Sequence, residues 1–106
     1  MTTVVSTAGF EWDRANRDKC GKHGVSIVAI EAAFRRPIAV FPDPVHSQME
    51  ERFKAVGRTD DGRHMLIVFT LRIREGRKLI RPISARFMHP KEVKYYEQTA
   101  SEIADR

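Results

Sequence analysis

Period-two alternation dominates the middle of the chain. Phe53, Ala55 and Gly57 alternate with Arg52, Lys54, Val56 and Arg58, the pattern of a half-buried strand. Met65-Leu66-Ile67-Val68-Phe69-Thr70-Leu71 is apolar on both faces and predicts the central strand of a sheet. Leu79 to Arg86 predicts a third strand, and Pro82 within it lacks a ladder donor, which asks for an edge position or a bulge. Thr59-Asp60-Asp61-Gly62 and Glu75-Gly76 separate the three runs as turns. Connections this short make the unit an antiparallel meander.

Helical spacing flanks the meander on both sides. Asp13 is placed to cap a short helix running to about Cys20, with Gly21 and Gly24 at its exit. Ser26 opens a second helix whose Ile27, Ile30, Ala33 and Phe34 share one stripe, and Pro37 ends it. Ile38 to Phe41 reads as a short strand stopped by Pro42. Near the C-terminus His89 fits an N-cap, Pro90 the first helical position and Glu92 the third, followed by a stripe of Val93, Tyr96, Ala100 and Ile103. Residues 1–9 read as a flexible arm with an extended piece at Val4-Val5, and 10–106 as a single domain in which Phe10 and Trp12 pack on the sheet. The expected fold class is α+β: two N-terminal helices, a small antiparallel sheet built on the meander, and a C-terminal helix.

Composition narrows the setting. A chain of 106 residues with 42% hydrophobic and 31% charged positions suits one folded domain. Its one cysteine, Cys20, excludes an intrachain disulfide and fits a reducing compartment. No apolar run approaches the ~20 residues of a membrane span, and the start lacks a secretory pattern, so the expected location is cytoplasmic. The net charge of +5 is unevenly spread: Arg72 to Lys91 holds seven basic residues against Glu75 alone. That asymmetry points to a polyanion or an acidic protein as partner.

Chemistry is harder to locate. His23, His46, His64 and His89 lack metal-ligand spacing and no glycine loop for phosphate is present, so neither metal nor cofactor is expected. What remains is an arginine-rich sheet beside a proline-braced loop carrying Asp43, His46 and Glu50. RNA can be cut without metal by such groups: a base for the ribose 2′-hydroxyl, and guanidiniums for the charge that grows on phosphorus. The same features also suit a nucleic-acid-binding module without catalysis, or a protein-interaction domain acting as co-regulator.

Several short motifs favour the first of these. Phe10-Glu11-Trp12-Asp13, Lys22-His23-Gly24-Val25-Ser26, Pro42-Asp43-Pro44 with His46, Glu50-Glu51-Arg52-Phe53, Gly57-Arg58-Thr59 and Ile83-Ser84-Ala85-Arg86 occur in this order. From Phe10 to about Glu97 the chain resembles the BrnT family of bacterial toxins. The resemblance implies a RelE-like fold, a metal-independent ribonuclease that inhibits translation and growth, and neutralisation by a BrnA-type antitoxin that supplies operator DNA binding for the complex. Carried onto this sequence, it makes His46, Glu50, Arg58 and Arg86 the expected catalytic residues. Arg58 and Arg86 would clamp the phosphate, while His46 or Glu50 moves a proton. Arg52, Arg72, Arg81 and His89 are expected to hold substrate, and Tyr95 and Tyr96 are weaker candidates.

Overall fold

In the computed structural model the described residues are 2, 3, 5 and 7–104, with side chains described for 5, 7–45 and 47–99. The elements are β1 (Thr2–Thr3), β2 (Gly9–Phe10), α1 (Arg14–Gly21), α2 (Ile27–Phe34), β3 (Ile38–Pro42), a 3-10 turn (Pro44–His46), β4 (Phe53–Arg58), β5 (His64–Arg74), β6 (Arg77–Phe87) and α3 (Pro90–Ala104). Their order is the expected α+β order, with two short strands added in front. The expected extended piece at Val4-Val5 falls in part on Val4, which lies outside the described residues.

The meander forms on β4, β5 and β6, all antiparallel. Its first turn closes with Gly62 N–H donating to Thr59 O at 2.9 Å and Gly62 at φ 87°. The second is a two-residue turn between Arg74 and Arg77, with Glu75 at φ 51° and Gly76 at φ 75°. Positive φ at both central positions matches the twist of a tight hairpin, and glycine adopts it without strain. Pro82 sits at the expected irregularity. Val68 pairs with Ser84 and Phe69 with Pro82, so Ile83 is an extra residue on β6 and the proline needs no donor.

One expectation is corrected. The sheet is mixed rather than antiparallel throughout, in the order β1-β3-β4-β5-β6-β2. β2 runs parallel to β6, pairing Gly9 with Leu79 and Phe10 with Ile80. Two residues are too few for alternation to show in sequence, and their pairing is set by β6 rather than by a hairpin.

Where β2 ends, α1 takes over as the cover of β6. Asp13 and Asn16 form a reciprocal cap: Asp13 N–H donates to Asn16 Oδ1 at 2.7 Å, and Asn16 N–H to Asp13 Oδ1 at 3.1 Å. Asn16 is buried and sends its amide hydrogens to Glu11 O (2.9 Å) and Pro82 O (2.8 Å). Ser26 caps α2 by accepting from Ala29 N–H at 3.1 Å, as its position suggests.

The core lies between the helices and one sheet face. Val25, Ile30, Ala33 and Phe34 meet Ala55, Met65, Ile67, Phe69, Ile80 and Ala85. Phe34 stands edge-on to Phe69 at 4.9 Å, while Phe53 stacks on Phe69 at 5.4 Å. Trp12 packs against this cluster and donates through Nε1 to Glu31 Oε2 at 2.9 Å. Gly57 lets α2 approach β4, since a Cβ there would stand 2.8 Å from Ala33 Cβ.

This contact yields a stability prediction. Gly57→Ala should cost about 1–3 kcal/mol by overpacking, read from urea unfolding. The Gly57→Ala/Ala33→Gly double variant should lose less than the sum of the two single losses. Additive losses would show that the close approach is not what Gly57 supplies.

Candidate functional site

The register that buries one sheet face defines the other. Lys54, Val68 and Ser84 stand in one row across β4, β5 and β6, with Val56, Leu66 and Arg86 in the next. Beyond these, Arg58 pairs with His64 at one end of the sheet. Thr70 pairs with Arg81, and Arg72 with Leu79, toward the other. The residues expected to act together are therefore split. Arg58 and Arg86 share one end, while Glu50, Arg52, Arg72 and Arg81 lie toward the other, about four to eight strand residues on, or roughly 13–26 Å.

At the first end, α3 lies against the sheet through polar contacts and the ring of Tyr96. Arg86 makes a two-pronged pair with Glu92, Nη1 to Oε1 at 2.7 Å and Nη2 to Oε2 at 2.8 Å. Glu92 also accepts from His89 N–H at 2.9 Å, while His89 Nδ1 accepts from Lys91 N–H at 3.1 Å, so His89 caps the helix as its position implies. Arg58 Nε donates to His64 Nε2 at 3.2 Å, and Glu97 lies 3.7 Å from the Arg58 guanidinium. Burial, reinforced by Arg58 and opposed by Glu97, holds the His64 imidazole below its ordinary pKa. The Tyr96 ring stands edge-on to Phe41 and His64. Among the described side chains of α3, none is buried.

At the second end the arginines are also paired. Arg72 meets Glu50 at 3.1 Å, and Arg52 stands 3.7 Å from the same carboxylate. Glu11 accepts from Arg74 at 2.6 Å and pairs with Arg81 at 3.4 Å, while Asp13 pairs with Arg81 at 2.9 Å. The hydrogen bond from Arg74, with the nearby charges of Arg81 and Arg72, keeps the Glu11 carboxyl below its usual range. The basic excess of the last hairpin is thus largely answered by acids from distant parts of the sequence. His46 closes the 3-10 turn of the loop that carries Glu50, and its side chain lies outside the described ones.

Beside the second end is a pocket in which only Arg52, through Glu50, has a carboxylate partner among its described cations. Lys19, Lys22 and His23, from the last turn and exit of α1, face Arg52, Val68, Ile83 and Ser84 around about 360 Å³. Among the described residues, Lys19, Lys22 and His23 form no ion pair or side-chain hydrogen bond. Arg52 contributes a guanidinium whose buried Nε has no protein partner. Sequence reasoning nominated Arg52 alone of this set. Lys22 and His23 were visible as part of a motif, but only the docking of α1 on β6 brings them to Arg52 and Ser84. Cys20, on the core side of α1, is kept from acting as a nucleophile because burial pushes its thiol up to about 11.

A sheet with one helix-covered face and one cationic face, flanked by a loosely attached C-terminal helix, is the framework of a small α+β protein built to meet a polyanion. The family profile described as "Ribonuclease toxin, BrnT, of type II toxin-antitoxin system" matches residues 12–92. The chain belongs to this family and has its RelE-like α+β fold. It is a ribonuclease toxin of a type II system, with RNA as substrate and an antitoxin as partner. No curated protein matches the chain. Among the described residues, no helix is long and apolar enough to cross a membrane.

The attachment of α3 has a predicted pH dependence. The bonds from Arg86, with the His89 N–H, lower the Glu92 carboxyl from 4.5 to about 2. A carboxyl depressed on folding stabilises the folded form fully above its unfolded value, and that contribution disappears as pH falls through the folded one. Helical ellipticity should therefore drop between about pH 4.5 and about pH 2 before the sheet signal does. Glu92→Gln should flatten that early phase; its persistence in the variant would assign it to other carboxylates.

Proposed function

We propose that RNA is cut in the pocket between α1 and the sheet, without a metal ion, by attack of a ribose 2′-hydroxyl on the adjoining phosphodiester. The observation that carries this reading is the convergence of unpaired cations with an imidazole on one wall of the sheet face. Elsewhere on that face the nominated arginines are held by carboxylates.

His23 takes the 2′-proton, imidazole being the side chain suited to proton transfer near neutrality. The 2′-oxygen bonds to phosphorus, and Lys19, Lys22 and the Arg52 fork stabilise the charge gathering on the equatorial oxygens. The bond from phosphorus to the 5′-oxygen breaks, with solvent in this open pocket supplying the proton. The products are a 2′,3′-cyclic phosphate and a 5′-hydroxyl.

In this reading Glu50 orients Arg52 rather than acting as the base, and the proton role expected of His46 passes to His23. Arg58 and Arg86 hold RNA further along the face, as do Arg72 and Arg81 on the opposite side of the pocket. His89 serves mainly as the cap of α3. A BrnA-type antitoxin neutralises the toxin by laying an acidic segment over the same cations, and operator DNA is read by the complex through the antitoxin. The setting is the cytoplasm, where cleavage of RNA halts translation and growth.

His23→Ala should lower single-turnover cleavage of a labelled RNA by roughly 10²-fold or more, with chelators leaving the parent rate unchanged. Lys22→Ala should lower it less. Both positions are exposed, so thermal unfolding should stay at the parent value. Cutting by His23→Ala at the parent rate would remove the imidazole from the reaction.

A further inference from the structure

The pocket has a wall that phosphate chemistry does not need. Val68 and Ile83 present apolar surface in the midst of Lys19, Lys22, His23 and Arg52. In a regular strand, neighbours such as Ile83 and Ser84 face opposite sides of the sheet. Here both line the same pocket, because the irregularity beside Pro82 adds Ile83 to β6 without a partner on β5. Bulges re-aim side chains in this manner. The Ser84 hydroxyl forms no hydrogen bond among the described residues and is left to a ligand.

We propose that this wall is a nucleobase platform: an unpaired base of the RNA lies against Ile83 and Val68 beside the scissile phosphate, with the Ser84 hydroxyl meeting its edge. The assignment rests on the cleavage reading above and specifies its substrate as single-stranded RNA. About 360 Å³ is within the range of small-ligand pockets. Its apolar wall suits the flat face of a base and its cationic rim suits the attached phosphates. A base held in a duplex cannot turn its face to a protein wall, whereas a splayed single strand can. The His23 ring lines the same cavity, so the group that moves the proton stands beside the nucleotide the platform fixes. Ile83 is then a positioning residue for the reaction, acting on the substrate rather than on another side chain.

Binding of a 2′-O-methyl oligonucleotide, which cannot be cut, tests this separately from catalysis. An abasic nucleotide is walked along the oligonucleotide and affinity for the full chain is read by fluorescence anisotropy. One position should be sensitive, losing roughly 10-fold, the scale of one base stacked on a protein surface. Ile83→Ala should lose a similar factor on the unmodified oligonucleotide, and the abasic change should then add little, because the two remove the same contact. Ser84→Ala, which deletes only a hydroxyl, should keep the sensitive position but alter the ranking of the four bases there. Losses that multiply, no sensitive position, or equal affinity for a duplex of the same sequence would overturn the platform. His23→Ala cleaving normally while these binding results hold would instead overturn the catalytic reading and leave the platform standing.

Discussion

Asn16 fixes where everything else on the cationic face can be. Its side chain closes the first turn of α1, and both amide hydrogens are taken by backbone oxygens, Glu11 O before the helix and Pro82 O on β6. A buried amide with all its donors committed tolerates little displacement, since each lost bond leaves a desolvated polar group. The helix is thereby registered against the one residue of β6 that has no backbone donor for the ladder, and its last turn arrives near Ser84. The fold's irregular point and its unpaired cations are brought together by the same pair of hydrogen bonds.

Charge on this face is organised by subtraction. Glu11, Asp13, Glu50, Glu92 and Glu97 each stand against an arginine of the sheet or its approach. Pairs this close to solvent, partly buried at most, contribute modestly to stability. Their larger effect is on the potential outside the protein, because they cancel the arginines and leave the lysines and imidazole at the end of α1 standing out. The basic stretch of the sequence is therefore less basic as a surface than its composition suggests, with Lys78 and Lys91 keeping no carboxylate partner among the described residues.

Much of the fold was legible because its rules are local. Alternation from Phe53 to Gly57, the capping residues Asp13, Ser26 and His89, the turns at Gly62 and Gly76, and the irregularity at Pro82 all follow from neighbours in sequence. The parallel pairing of Gly9–Phe10 was not legible, since two residues carry no period. Neither was the candidate site. Arg58 and Arg86 are recognisable in the sequence as arginines at strand ends, yet their partners Glu97 and Glu92 come from a helix whose docking no local pattern reveals. The Arg58–His64 contact was within reach, because folding the hairpin about Thr59–Gly62 sets these two side by side. Lys22, His23, Arg52 and Ser84 are brought together by tertiary structure alone.

The C-terminal helix stands in an unusual relation to the ligand this face suits. α3 contributes carboxylates to Arg86 and Arg58 and no fully buried side chain among those described. Apart from the Tyr96 ring against Phe41 and His64, its hold on the sheet is of the same kind as a phosphate's would be, oxygen anions set against guanidiniums. If RNA runs along the face as proposed, helix and nucleic-acid backbone are rivals for the same two arginines. A strand long enough to reach them would displace part of the protein's own structure, exchanging an intramolecular polyanion for an external one.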